Sequence, residues 1–141
     1  MLRLIRRRRK NGEKGQALVE FALIVPIFLI LLFAIVDFGM GFYSWITVTN
    51  AAREGARLGA VLATQQEIED RVYESVNLPD EATKMNVTVT NAQGEPGESV
   101  AVQVDYDYDL ITPLAGLVQF VSGDTLGSTL TFSSTAEMRL E

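Results

Sequence analysis

Residues 21–36 read FALIVPIFLILLFAIV, sixteen consecutive positions that carry no charged or amide side chain. With the residues back to Ala17 they form a twenty-residue segment that only Glu20 interrupts. A helix of about twenty residues spans about 30 Å, which matches the hydrocarbon core of a bilayer. Because the segment is apolar on all sides, it lacks the polar face of a surface helix. We therefore predict a transmembrane helix over residues 16–45, preceded by a basic leader over residues 1–15.

The charges of the chain are divided unevenly along its length. Residues 1–15 carry seven Lys and Arg residues and one Glu, whereas the rest of the chain carries five basic and seventeen acidic residues. Basic residues beside a membrane span stay on the cytoplasmic side. The charges therefore predict a single-pass protein with a cytoplasmic N-terminus and an extracytoplasmic C-terminal domain. An acidic domain repels phosphate, which excludes nucleic acid as its partner.

A helical region is predicted after the span, over residues 46–78. Small residues recur there at helical spacing and form one smooth face, made of Ala52, Gly55, Ala56, Gly59 and Ala63. Each glycine in a helix costs about 1 kcal/mol relative to alanine, and close approach of another element offsets that cost. We therefore predict a helix-packing face, the alternative being a loose linker. A capping box over Thr64–Glu67 predicts that a second helix begins there.

An antiparallel β-sheet domain is predicted over residues 79–141. Apolar and polar residues alternate in its strand-like segments, which is the period of strands with one covered face. Three strands are expected, around residues 87–90, 100–110 and 130–140. The apolar face of residues 68–76 is the expected cover of the sheet.

A short helix is predicted between the second and third strands, near residues 112–121. Thr112 suits its N-cap and Pro113 its first position. We expect its apolar residues to belong to the domain core, the alternative being contact with the membrane or a neighbouring subunit. The predicted fold is therefore α+β, with a long N-terminal transmembrane helix that continues into an extracytoplasmic helical region packed on a small antiparallel sheet.

The residue types present exclude several kinds of active site. The chain contains neither His nor Cys, which excludes Cys/His zinc sites, Ser-His-Asp triads and cysteine nucleophiles. Asp105, Asp107 and Asp109 alternate with tyrosines, but the glycine turn and the distant Glu of a calcium loop are missing. Strand alternation explains that spacing, so we predict a solvated acidic stripe and no metal. We expect no enzyme activity, no cofactor and no small-molecule substrate.

Residues 14–21 read KGQALVEF and resemble a prepilin cleavage site, in which a basic leader ends in glycine and a glutamate follows five residues later. Gly15 ends the leader here, Glu20 is the fifth residue after it, and the aromatic Phe21 comes next. With the apolar run and the later AAREGAR, residues 51–57, the chain resembles the TadE-like family of pilin-like proteins. Members of that family belong to the tight-adherence (Tad or Flp) type IVb pilus machinery of bacteria.

The resemblance implies cleavage by a prepilin peptidase between Gly15 and Gln16, at the cytoplasmic face of the inner membrane. It also implies that Glu20, next to Phe21, meets the N-terminus of an adjoining subunit during assembly. An unpaired carboxylate in an apolar helix is unfavourable, so Glu20 is expected to be protonated or paired. The implied role is that of a pseudopilin or minor pilin. Its implied partners are the membrane, the peptidase, other pilin-like subunits and Tad pilus assembly proteins.

A second hypothesis is a permanently anchored extracytoplasmic binding module, a sensor or an adhesin, with an uncleaved N-terminus. The pair of Gly15 and Glu20 favours the pilin-like hypothesis. The mass of the mature protein separates the two, because only processing removes residues 1–15. A processed protein stays in the inner membrane or enters a surface pilus.

Overall fold

The computed structural model describes residues 10–116, 119 and 129–141. Its elements are three helices followed by three strands: α1 (Lys10–Gly59), α2 (Gln65–Glu74), α3 (Glu81–Lys84), β1 (Met85–Thr90), β2 (Ser99–Asp109) and β3 (Thr129–Arg139). The predicted α+β fold, a long N-terminal helix followed by further helices and a three-stranded antiparallel sheet, is confirmed.

Helix α1 is a single unbroken helix of 50 residues, with Pro26 inside it. Its part from Gly15 to Gly59 contains a segment long and apolar enough to cross a membrane, with a mean hydropathy of 2.9 and no buried residues. The helix passes through residue 45 without interruption. The predicted boundary at residue 45 separates the part of α1 inside the membrane from the part outside it. Because the backbone does not change there, this boundary stays a prediction.

Helix α2 begins with the predicted capping box. The backbone N–H of Thr64 donates to Glu67 Oε2 at 2.8 Å, and the backbone N–H of Glu67 donates to Thr64 Oγ1 at 3.3 Å. Both donors would otherwise lack a partner in the first turn of the helix. The helix ends at Glu74, and it buries Ile68 and Val72.

The sheet has the order β1-β2-β3 with both pairs antiparallel, so β2 is its central strand. In the register of the sheet, Val104 of β2 lies between Val87 of β1 and Ser134 of β3. The predicted covered face of β2 is confirmed by burial of its alternate residues Val100, Val102, Val104, Tyr106 and Tyr108. Asp107 and Asp109 on the opposite face are exposed.

The expectation that residues 68–76 cover the sheet is incomplete. The second half of α1 lies over β2 and β3, whereas α2 packs beside it, against α1 and β1. The physical reason is that small residues let the α1 backbone approach the valines of β2, so the longer helix takes the central position. Of the helix predicted near 112–121, residues 114–116 are helical and most of the rest lies outside the described residues.

Candidate functional site

The predicted processing segment lies in the exposed first turns of α1. Gly15 is helical and exposed, and among the described residues a Cβ atom added to it would have no neighbour within 4 Å beyond the adjoining helix backbone. Phe21 is also exposed. The space at the side-chain position of Gly15 is therefore open within the described part of the chain, which begins at Lys10.

The side chains of Glu20 and Gln16 meet across one turn of α1. Gln16 Nε2 donates a hydrogen bond to Glu20 Oε1 at 3.0 Å. The carboxylate of Glu20 therefore points back towards the position that processing would turn into the N-terminus. An α-amino group created at Gln16 would lie on the residue whose amide already contacts this carboxylate.

The predicted helix-packing face lies where α1 crosses α2 and β2. Ala52, Gly55, Ala56 and Gly59 are buried, whereas Ala63 follows the end of the helix and is half-buried. A Cβ atom added to Gly55 would lie 2.6 Å from Val72 Cγ2 and 3.1 Å from Val102 Cγ1.

Gly59 lies equally close to the sheet. A Cβ atom added there would be 3.0 Å from both methyl groups of Val100. The distance at Gly55 is shorter than real Cβ contacts, and the distances at Gly59 are tighter than most of them, so a side chain at either position requires neighbouring atoms of α2 or β2 to shift.

Sequence reasoning missed Asp37, which joins α1 to the connection after β2. Its side chain is 3% exposed. Its Oδ1 atom accepts hydrogen bonds from the backbone N–H groups of Ile111, at 3.0 Å, and Thr112, at 3.3 Å. Its Oδ2 atom accepts from the Thr112 hydroxyl. Two sequence features could have identified this contact: Asp37 is the first charged residue after the apolar run, and Thr112 precedes a proline.

The order of the contacts shows that α1 and β2 run in opposite directions, because later residues of α1 contact earlier residues of β2. Gly59 meets Val100 and Gly55 meets Val102, and Asp37 meets Ile111 at the other end. The 22 helical residues between Asp37 and Gly59 rise about 33 Å. The 11 extended residues between Val100 and Ile111 cover about 36 Å. These lengths agree, so β2 runs alongside α1 in the opposite direction.

A charged cluster holds α2 against α1 on the solvent side. Glu54 Oε1 accepts from Arg71 Nη2 at 2.7 Å and from Arg57 Nη2 at 2.8 Å. Hydrogen bonds from the Arg57 and Arg71 guanidinium groups lower the pKa of Glu54 to about 2. The carboxylate is therefore ionised at every pH well above that value, and the link between the two helices keeps its charge.

The acidic stripe of β2 contacts hydroxyl and ammonium groups on the face of the sheet opposite α1. The hydroxyls of Thr129 and Thr131 donate to Asp109 and Asp107, at 2.5 Å and 2.6 Å. Lys84 Nζ lies 3.1 Å from Asp109 Oδ2, and hydrogen bonds from Thr129 and Lys84 lower the pKa of Asp109. Within the described ranges, no group of three or more acidic side chains has the geometry to hold a metal ion.

Comparison with known proteins finds one family. No curated protein and no solved structure matches the chain. The family described as TadE-like protein matches residues 15–57. This segment contains Gly15, Glu20, the apolar run and Gly55, and it ends before the sheet. The resemblance of the chain to the TadE-like family is therefore confirmed over residues 15–57.

Proposed function

We propose that the protein is a pseudopilin or minor pilin of a Tad-type pilus. The family match supports a pilin-like component associated with such a pilus, and TadE-like pilus proteins are structural proteins rather than enzymes. The observation that carries the proposal is that the matched segment is one continuous helix with two different halves. Its first half is apolar and exposed, and its second half packs on the sheet.

The proposed location is the bacterial inner membrane, with residues 1–15 in the cytoplasm and the sheet domain outside. The apolar window of α1 supports a single span, and the cluster of basic residues before it supports this orientation. In this arrangement Gly15 lies at the cytoplasmic membrane face, where a prepilin peptidase acts. The predicted boundaries at residue 45, between the transmembrane helix and the helical region, and at residue 78, between that region and the sheet domain, are part of the same proposal.

The proposed processing requires that a peptidase reach the bond between Gly15 and Gln16. In the part of the chain that the structure describes, no side chain lies within 4 Å of a Cβ placed on Gly15, which supports this access. Glycine also brings no side chain that would crowd the cleaved bond. The other proposed partners are pilin-like subunits and Tad assembly proteins.

Gly15→Val tests the processing step. We expect co-expression with a prepilin peptidase to remove residues 1–15 from the wild type and to leave Gly15→Val uncleaved, because the branched side chain crowds the bond. Mass spectrometry of the purified protein measures the outcome. Gly39→Val is the matched control, since Gly39 is also an exposed glycine of α1 without neighbours within 4 Å. An intact N-terminus in the wild type would instead favour the anchored sensor or adhesin.

Glu20→Gln separates assembly from processing. The substitution keeps the size of the side chain and removes its charge, so cleavage after Gly15 should persist. Association with pilus components should fall, because an ammonium group at Gln16 of a neighbouring subunit loses its counter-charge. Cross-linking followed by co-purification measures this association, with Gly15→Val as the unprocessed reference. Equal recovery of the wild type and Glu20→Gln would remove the assembly role from Glu20.

A further inference from the structure

One end of the sheet is fixed at the level where the apolar run of α1 ends. Asp37 directly follows Val36, the last residue of that run. The hydrogen bonds from Ile111 and Thr112 to Asp37 hold the connection after β2 beside this point of the helix. The predicted span over residues 16–45 measures about 45 Å, which matches a bilayer with its headgroup layers. Within it the twenty residues from Ala17 to Val36 rise about 30 Å and fill the hydrocarbon core. A span over these residues therefore brings Ile111 to the outer boundary of the core.

The side chains around this point are apolar and open to the surroundings. Ile111 is 61% exposed, and Leu130 at the start of β3 is half exposed. Leu130 lines an apolar cleft together with Phe38 and Leu114. Leu110, the residue before Ile111, lines the same cleft. Phe38 is exposed as well, so the patch continues into the lipid-facing surface expected of α1. Such a patch is unfavourable in water.

We propose that this end of the domain rests in the outer leaflet of the membrane, with Ile111 and Leu130 in contact with phospholipid acyl chains near the headgroups. The proposal rests on the membrane insertion of α1, and it does not depend on a role in a pilus. Continuity of the patch with the apolar half of α1 favours lipid as its occupant over a second protein.

The polar groups nearby are arranged in a way that fits this position. Both carboxylate oxygens of Asp37 accept hydrogen bonds from the connection after β2, so its charge does not face lipid without partners. Asp109 lies two residues before Ile111, about 7 Å along an extended chain and away from the membrane. It belongs to the face of the sheet opposite α1, where Lys84 and Thr129 contact it.

Single-cysteine variants test this contact directly, because the chain contains no cysteine. Ile111→Cys, Val61→Cys and Leu31→Cys replace apolar residues of nearly equal exposure, 61%, 63% and 59%. Each full-length variant is labelled with an environment-sensitive fluorophore and reconstituted at low density into phosphatidylcholine–phosphatidylglycerol vesicles. Lipids that carry a nitroxide at the headgroup boundary then quench the fluorophores in contact with the membrane.

We expect lipid nitroxides to quench position 111 at least about fivefold more strongly than position 61, which lies beyond Gly59 and about 33 Å of helix from Asp37. Position 31 should be quenched as part of the span. Equal quenching at 111 and 61 overturns the proposal. A site at 111 that neither lipid nitroxides nor aqueous iodide can reach also overturns it, in favour of a protein that covers the patch.

The same measurement separates this proposal from the proposed function. An unquenched position 31 would remove the membrane span and the leaflet contact together. Strong quenching at 31 and 111 in a protein that fails to associate with pilus components would leave the leaflet contact standing and remove only the pilus role.

Discussion

Gly55→Leu is expected to destabilise the sheet domain by about 3 kcal/mol or more, at the upper end of what overpacking of a core costs. The first added carbon would already lie 2.6 Å from Val72 Cγ2 and 3.1 Å from Val102 Cγ1. Both valines are fully buried, so neither can move aside without displacing α2 or β2. Urea unfolding in detergent micelles, followed by brief proteolysis of the domain, measures the loss.

Gly39→Leu is the matched control for this substitution. Gly39 lies on the same helix, and a Cβ atom added there meets nothing within 4 Å. The change at Gly39 should leave stability unchanged or raise it by up to about 1 kcal/mol, because leucine favours a helix more than glycine does. A Gly55→Leu protein as stable as Gly39→Leu would show that α1 does not pack closely on β2.

Asp37→Ala is expected to destabilise the protein by about 3 kcal/mol, because each backbone donor left without an acceptor costs about 1–3 kcal/mol. The substitution removes the acceptor of the Ile111 and Thr112 N–H groups and of the Thr112 hydroxyl. The connection after β2 should also become accessible to proteases. The urea midpoint and the cleavage rate in this connection are the two measurements.

Asp37→Asn distinguishes the hydrogen bonds from the charge. The asparagine oxygen still accepts from the two backbone N–H groups, and its amide can donate to the Thr112 hydroxyl oxygen. We therefore expect Asp37→Asn to lose less than half of the stability that Asp37→Ala loses. If the two variants unfold at the same urea concentration, the contribution of Asp37 is not made through these hydrogen bonds.

Local patterns predicted those parts of the fold that depend on neighbouring residues. The capping box over Thr64–Glu67 and the covered face of β2 were identified because their signals lie within a few residues. The sequence predicted that the helical region over residues 46–78 packs on the sheet, but it did not predict that α1 takes the central place over β2 and β3. Periodicity indicates which face of an element is apolar and not which element that face packs against. The contact of Asp37 with Thr112 joins residues 75 positions apart, and no local pattern contains it.

In the candidate site, too, local patterns predicted the residues but not the partners that they contact. The motif from Gly15 to Phe21 is local, so the sequence was sufficient to predict these residues and to indicate the resemblance to the TadE-like family that the match over residues 15–57 confirms. Their roles depend on a peptidase and on neighbouring subunits, which a single chain does not contain. The small residues around Gly55 were identified by their spacing, whereas the valines that make glycine necessary there come from α2 and β2.

The opposite directions of α1 and β2 have a mechanical consequence. A force that draws the helix lengthwise also acts along the strand and loads their interface in shear. The contacts at Asp37, Gly55 and Gly59 then share the load at once, whereas an interface that is peeled open yields one contact at a time. We therefore expect the sheet to move with the helix when the helix is pulled, because the contacts between α1 and β2 are sufficient to keep the two attached.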